Sequence, residues 1–369
     1  MRPVERGETP IPGTSYRQIG VKLWGEGAYE REPIDGGATK YIQLFRVAAG
    51  DVIVNKIWAR NGSMAVVPDS LAGCFGSGEF PMFAPIRSHL EPRWFHWLTK
   101  TRGLWAQCDE KSQGTSGKNR IRPERFLEIE IPLPPLAEQR RIVTRIEELA
   151  ARIEEARTLR QQAVEEGEAV CRAMITQDQD SRLTPVRELV RLRPTDVTVS
   201  PSEKYQFAGV YCFGRGVFRA EAKTGMDFAY PRLTRLKAGN FIYPKLMAWE
   251  GALAVAPPEC DGCVVSTEFP VFEVLDDKVL PEVLDTYFRT PSVWPDLAGT
   301  STGTNVRRRR LNPEDFLNYQ MPLPSRPTQE KLRIVRERVD ALKRLQAETT
   351  AKLDALLPSI LDRAFAGAL

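Results

Sequence analysis

The sequence predicts an α+β protein: two similar mixed α/β domains separated by an antiparallel pair of long helices forming a coiled coil, with the halves related by an approximate two-fold axis. Two observations carry this. The first is a proline-punctuated entry, Ile131-Pro-Leu-Pro-Pro-Leu-Ala-Glu-Gln139, into a long amphipathic stretch without proline; it returns as Met321-Pro-Leu-Pro324 ahead of Thr328-Gln329. The second is an internal repeat: Tyr16, Gly20, Val21, Gly25 and Gly27 recur at one constant offset of 189 residues as Tyr205, Gly209, Val210, Gly214 and Gly216. Recurrence at a fixed spacing marks a duplicated unit. The expected boundaries are residues 1–134 for the first domain, 135–177 for the first long helix, 178–324 for the second domain, and 325–369 for the second long helix with its C-terminal tail.

The register persists through each domain. Ala49-Gly50 matches Ala238-Gly239, Lys56 matches Lys245, Gly62 matches Gly251, Glu79-Phe80-Pro81 matches Glu268-Phe269-Pro270, and Trp105 matches Trp294. Asp51–Trp58 and Asn240–Met247 read as strands, each followed by a glycine-containing turn and a short second strand, Met64–Val67 or Leu253–Ala256; Val271–Leu275 is another strand. Glu91–Thr101 and Pro281–Thr290 read as helices, helped by their early prolines. Beyond the tryptophans the offset breaks, and Thr115–Asn119 meets Thr300–Asn305 with extra residues, as in a surface loop. Leu183–Pro201 has no counterpart in the first copy, so the first domain starts short.

The prolines at 132, 134 and 135 hold the entry extended and start a new helix near Ala137. Ile142, Ile146, Leu149, Ile153 and Ala156 then follow at alternating spacings of four and three, a seam that needs a partner helix. Val335, Val339, Leu342, Leu353, Leu356 and Ile360 form the second seam, weakened at Gln346 and Thr349. Helix one runs from domain one to domain two and helix two leaves domain two, so paired seams require antiparallel helices. Roughly 35 residues at 1.5 Å each give a rod of about 50 Å. Such an object suits a long ligand of approximate two-fold symmetry, and duplex DNA qualifies.

Composition bounds the function classes. The chain has 369 residues, 42% hydrophobic and 27% charged, with a net charge of +4, so a polyanion must meet local basic patches rather than a global field. Of six cysteines only Cys260-Asp-Gly-Cys263 has metal or redox spacing, and the two histidines, His89 and His96, lie in the other half; buried or incidental thiols are expected. Without a membrane-length apolar run or a signal-peptide core, the protein is expected in the cytoplasm. Gly114-Thr-Ser-Gly-Lys-Asn119 lacks the first glycine spacing and the hydroxyl residue of a phosphate loop. Phe213-Gly-Arg-Gly216 has the twin Trp24-Gly-Glu-Gly27, which reads as a repeated turn rather than a nucleotide loop. Asn312-Pro-Glu-Asp-Phe316, like Arg122-Pro-Glu-Arg-Phe126, reads as a helix start and only superficially matches a methyltransferase motif. A histidine-based catalytic set in both repeats is impossible.

The duplicated motif, its order and its helices resemble the specificity (S) subunits of type I restriction-modification systems. In that family "PLPPLAEQ" and a long helix close each of two target-recognition domains, and a second such helix ends the chain, as Leu356-Leu-Pro-Ser-Ile-Leu-Asp-Arg-Ala-Phe365 does here. The resemblance implies a non-catalytic subunit in which each domain reads one half of a bipartite asymmetric DNA site. It also implies that the helices seat two modification (methyltransferase) subunits. S-adenosylmethionine, ATP and Mg would belong to partners, an ATP-dependent restriction subunit among them, and no cofactor to this chain. The competing reading is a coiled-coil scaffold or adaptor that binds protein only.

The basic residues take roles under that resemblance. Lys56 and Lys245 are retained at one strand-turn, as phosphate contacts would be, whereas Arg60-Asn61 becomes Trp249-Glu250, as base-reading positions would if the half-sites differ. Lys118-Asn119-Arg120 and Arg122 are matched by Asn305 with Arg307, Arg308, Arg309 and Arg310, a second basic site after a Ser/Thr/Gly loop.

Overall fold

The structure is a computed structural model that describes residues 1–113, 119–297 and 310–369 in full and residues 298–300 as backbone. It divides into two compact units, residues 1–158 with 349–369, and residues 159–348.

Unit 1 contains β1 (Arg2–Val4), β2 (Gly7–Glu8), β3 (Ser15–Val21), β4 (Ala28–Asp35), β5 (Leu44–Arg46), β6 (Val52–Val54), β7 (Met64–Val66), β8 (Phe75–Gly76) and β9 (Met82–Ala84). These form two sheets, ordered β1-β9-β6-β7 and β2-β5-β8-β3-β4. Helices α1 (Pro92–Leu98), α2 (Arg102–Glu110) and α3 (Pro123–Leu127) follow, and α4 (Leu136–Thr176) begins here. The buried run at Val52, Ile53 and Val54 is strand-like, yet the strand ends sooner than its sequence suggests. Asn55 Oδ1 accepts the amides of Ile57 at 3.0 Å and Trp58 at 3.3 Å and turns the chain into a short 3-10 segment, Ala59–Asn61. Side-chain capture of backbone amides is how asparagine competes with a ladder. Gly62, at φ 74°, closes the turn because Trp105 would collide with any Cβ there, at 2.6 Å.

Unit 2 repeats the plan. After the end of α4 come β10 (Arg182–Pro185), β11 (Val190–Leu192), β12 (Val197–Thr198), β13 (Lys204–Tyr211), β14 (Gly216–Thr224) and β15 (Arg232–Arg235). Then follow β16 (Phe241–Ile242), β17 (Ala254–Val255), β18 (Val264–Val265), β19 (Val271–Val274) and β20 (Gln320–Leu323). The sheets β11-β19-β16-β17 and β12-β15-β18-β13-β14 match those of unit 1 strand for strand, so β11 and β12, inside the Leu183–Pro201 stretch expected to lack a counterpart, answer to β1 and β2, and only the β10-β20 ribbon is added. Helices α5 (Pro281–Phe288), α6 (Trp294–Thr300) and α7 (Pro313–Asn318) precede α8 (Arg326–Phe365). An aromatic cluster of Phe241, Tyr243, Phe272, Phe288 and Phe316 fills the core.

Inside each unit a stretch of α4 runs antiparallel to a stretch of α8. In unit 1, Ile142 and Ile146 pack with Leu361 and Ala364, and Arg157 meets Asp354 at 2.9 Å. In unit 2, Gly167 lies against Val339, and Glu168 pairs with Arg336 and Lys343. The seam therefore differs from the expected one, apolar but for Gln346 and Thr349. Arg336 is buried within it, while Leu356, expected inside, is 46% exposed. The repeated Gln139 and Gln329 explain the motif that opens each long helix. Both amides are buried; Gln139 accepts from Glu91 N and donates to the His89 and Pro134 carbonyls, and Gln329 accepts from Leu280 N and donates to the Pro324 carbonyl. Each glutamine thereby ties a proline-rich entry to its own domain, satisfying backbone groups that a buried helix start would otherwise leave orphaned.

Candidate nucleic-acid interface

Lys56 leaves β6 and is stitched between two later segments: its amide donates to the Glu79 carbonyl at 3.1 Å, and its carbonyl accepts from Ile121 N at 2.9 Å. Gln113 and Arg120 exchange both backbone hydrogen bonds, at 3.1 and 3.0 Å, and so close the neck of the loop between them. Arg120 Nε then reaches Glu79 Oε2 at 3.2 Å. Lys56, Glu79 and Arg120 are therefore one cluster at the loop neck.

Unit 2 builds the same cluster. Lys245 N donates to the Glu268 carbonyl at 3.0 Å, Leu311 N donates to the Lys245 carbonyl at 2.9 Å, and Arg310 Nη2 meets Glu268 Oε2 at 2.5 Å. Lys245 also spends its ammonium on the Thr267 carbonyl, at 2.9 Å. In both clusters the arginine and glutamate are largely in solvent, with the arginine side chains 46% and 42% exposed. An exposed pair of this kind contributes about 1 kcal/mol or less, so either guanidinium can turn to a phosphate oxygen at little cost.

The remaining candidate residues separate. Asn119 is half-buried beside the neck, and the exposed Arg122 is the residue before α3, where Pro123 starts the helix. Lys118, Asn305, Arg307, Arg308 and Arg309 lie outside the described residues. Arg60 and Asn61 are half-buried on the turn that packs against α2; Arg60 stands 3.9 Å from Asp109, and the Asn61 carbonyl accepts from Trp24 N at 2.7 Å. In unit 2 the half-buried Trp249 turns its indole N–H onto the Leu246 carbonyl at 2.8 Å. The structure thus joins the lysines to the loop arginines and places the Arg60-Asn61 and Trp249 turns beside a second feature.

That second feature is the hairpin end joining β3 to β4, and β13 to β14. Trp24 and Phe213 occupy the left-handed region, at φ 58° and 61°, and are 57% and 65% exposed. Sequence reading sees a repeated turn there and misses the aromatic side chain it holds outward. The available signal is an aromatic residue before Gly-x-Gly in both copies.

Other chemistry finds no assembled site. Cys260 and Cys263 are buried, and burial first, then its neighbour Cys263, pushes the Cys260 thiol up to about 11. Burial, with Lys100 and Arg93 nearby, pushes His96 down to about 4, so it is neutral at physiological pH. Among the described residues no three His, Cys, Asp or Glu side chains cluster to hold a metal, and no helix is long and apolar enough to cross a membrane.

Residues 5–165 match the family model described as the Type I restriction modification DNA specificity domain. The fold is similar to the crystal structure of the HsdS subunit from Thermoanaerobacter tengcongensis, with 24% identity and a TM-score of 0.56, covering 100% of this chain and 97% of that one. It is also similar to a chain of a structure described as the structural basis of complex assembly and conformational transition of the type I R-M system. There the identity is 22% and the TM-score 0.63, covering 100% of this chain and 98% of that chain. No curated protein matches the chain.

Proposed function

We propose that this chain, residues 5–165 of which match the type I restriction modification DNA specificity domain, is a DNA sequence-specificity subunit that divides its work between its two units. Each unit reads one half of a bipartite asymmetric site. The lysine and arginine at the loop neck grip phosphate, and neighbouring residues that differ between the repeats read bases. One observation carries this reading: Lys56, Glu79 and Arg120 recur as Lys245, Glu268 and Arg310 with the same backbone connections, while the adjoining Arg60-Asn61 becomes Trp249-Glu250. A retained grip with changed neighbours is what two half-sites of different sequence demand.

The subunit is itself non-catalytic and works in the cytoplasm. Two methyltransferase subunits dock along the helix pair and bring S-adenosylmethionine and adenine methylation; an ATP- and Mg-dependent restriction subunit can join them. Co-expression with the neighbouring methyltransferase, followed by mapping of methylated adenines, tests the reading. The expected product is an asymmetric motif of two separated parts. A strand-symmetric motif, or none, overturns the assignment of one half-site to each unit.

A further inference from the structure

The hairpin ends carry a device that DNA contact at the loop neck leaves unused. Trp24 and Phe213 are the only residues other than glycine with positive φ among the described residues. Bulky side chains adopt that backbone at a cost glycine would avoid, and here both residues remain mostly in solvent, so burial compensates little. Strain kept with so little burial points to a function.

Both knobs are held by the same scaffold. Trp24 N and Gly25 N donate to the Asn61 and Gly62 carbonyls at 2.7 and 3.1 Å, and Lys100 Nζ donates to the Gly25 carbonyl at 2.7 Å. In unit 2, Phe213 N and Gly214 N donate to the Glu250 and Gly251 carbonyls at 2.8 and 3.0 Å, and Arg289 Nε donates to the Gly214 carbonyl at 2.6 Å. A tryptophan backs each knob, Trp105 at 5.9 Å and Trp294 at 6.4 Å between ring centroids, its indole N–H bonded to the backbone. The knob changes from Trp to Phe and the clamp from Lys to Arg, yet the arrangement is unchanged.

In unit 1 the knob opens onto a groove of about 800 Å³ between Trp105 and α8, lined by the apolar Leu357 and Leu361 and by charged residues among which Glu26, Asp354 and Asp362 outnumber Lys100 and Arg102. A mixed charge set with an acidic excess is a poor seat for a phosphate backbone, whereas an exposed aromatic beside apolar residues with a charged rim has the anatomy of a protein-binding hot spot. In unit 2 the clamp Arg289 is itself fixed by Asp285 at 2.8 Å. We propose that Trp24 and Phe213 are anchor points for the two methyltransferase subunits, one per unit, each anchor receiving an aliphatic segment flanked by a basic residue. This rests on the specificity-subunit reading, which supplies the partner and its two copies.

The test uses the full chain co-expressed with its methyltransferase, with native mass spectrometry counting methyltransferase copies per chain. Trp24→Ala and Phe213→Ala should each lower the count from two to one, and the double variant to none. Salt-dependent DNA binding by the free chain should be unchanged. Trp24→Gly should also lose a copy while raising the melting temperature, because glycine relieves the backbone; a merely structural aromatic would lose stability instead. Variants that keep both copies overturn the proposal, and a loss confined to DNA affinity overturns it in favour of an aromatic wedge for bases. A wild-type chain that recruits no methyltransferase overturns the specificity-subunit reading and the anchors together, whereas recruitment of two copies insensitive to these substitutions overturns the anchors alone.

Discussion

The buried carboxylate in the unit 2 helix pair predicts which helices can pair. Glu168 on α4 accepts from Arg336 Nη1 at 2.8 Å and from Lys343 Nζ at 2.5 Å, and Arg336 is only 9% exposed. Burial alone would raise the Glu168 carboxyl, but the Lys343 hydrogen bond and the charges of Arg336, Lys343 and Arg289 hold it below its ordinary value. Counting from the equivalent Gln139 and Gln329, Arg336 corresponds to Ile146 and Lys343 to Ile153. A fragment ending at Gln179 would have to pair α4 with a second α4, setting each Glu168 against Ile146 and Ile153 of the other copy. An uncompensated buried charge costs about 3 kcal/mol at the lower end of the usual range, a fitting choice for a side chain 23% exposed. Two per dimer come to about 6 kcal/mol, or roughly ten-thousandfold in the dimerisation constant. The fragment should therefore associate weakly at neutral pH, more strongly as acid protonates Glu168, and strongly at all pH values once Glu168 is changed to Leu. Sedimentation equilibrium at several pH values measures this. A tight wild-type dimer at neutral pH that Glu168→Leu leaves unchanged would refute the reasoning.

In the intact chain the sign is reversed. Glu168 has a depressed folded-state pKa, so its contribution to stability is complete above the unfolded value of about 4.3 and fades as pH falls through the depressed value; Glu168→Gln should flatten acid unfolding in that window. Replacing Arg307, Arg308, Arg309 and Arg310 with alanine should flatten the salt dependence of DNA binding by about 0.9 per lost phosphate contact while the fold survives; an unchanged slope assigns the run elsewhere. Glu268→Ala frees Arg310 and should tighten binding to all sequences, measured by fluorescence anisotropy, with weaker binding as the refuting result. Substituting Asn61 should relax discrimination at one base of the first half-site by about 1–3 kcal/mol and leave the second untouched; equal loss on all DNAs would make the turn a positioning element. Gln139→Ala orphans the Glu91 amide and should cost about 1–3 kcal/mol in denaturant unfolding of unit 1, and a cost near zero would dismiss the helix-entry role.

The duplication, the two long helices and the α1 and α5 regions were legible because proline punctuation and heptad periodicity are local signals. The long β3-β4 and β13-β14 hairpins were not, since β4 is exposed along nearly its whole length and offers no apolar alternation. The strand expected over Asp51–Trp58 stops at Val54 because one side chain, Asn55, outcompetes the ladder. The seam of α8 was legible at Val335, Val339 and Ile360 but incomplete, because apolar periodicity cannot see a buried Arg336 whose carboxylate partner lies 168 residues earlier. At the candidate interface, sequence found the paired lysines and arginines. It could not find Glu79 and Glu268 beside the arginines, because those contacts close only when strand, turn and loop neck meet.

The division of α8 between the units sets an order of events during translation. Unit 2 is contiguous, from Leu159 to Glu348, whereas unit 1 needs Thr349–Leu369 beside its first 158 residues. Leu361 and Ala364 are buried in the unit 1 core, and Trp94 meets Phe365 edge-on at 4.7 Å. The ribosome therefore delivers all of unit 2 before the last turns of unit 1 exist. The half of the protein made first is completed last, and Ile142 and Ile146 must wait, exposed or chaperoned, for a helix still to be synthesised.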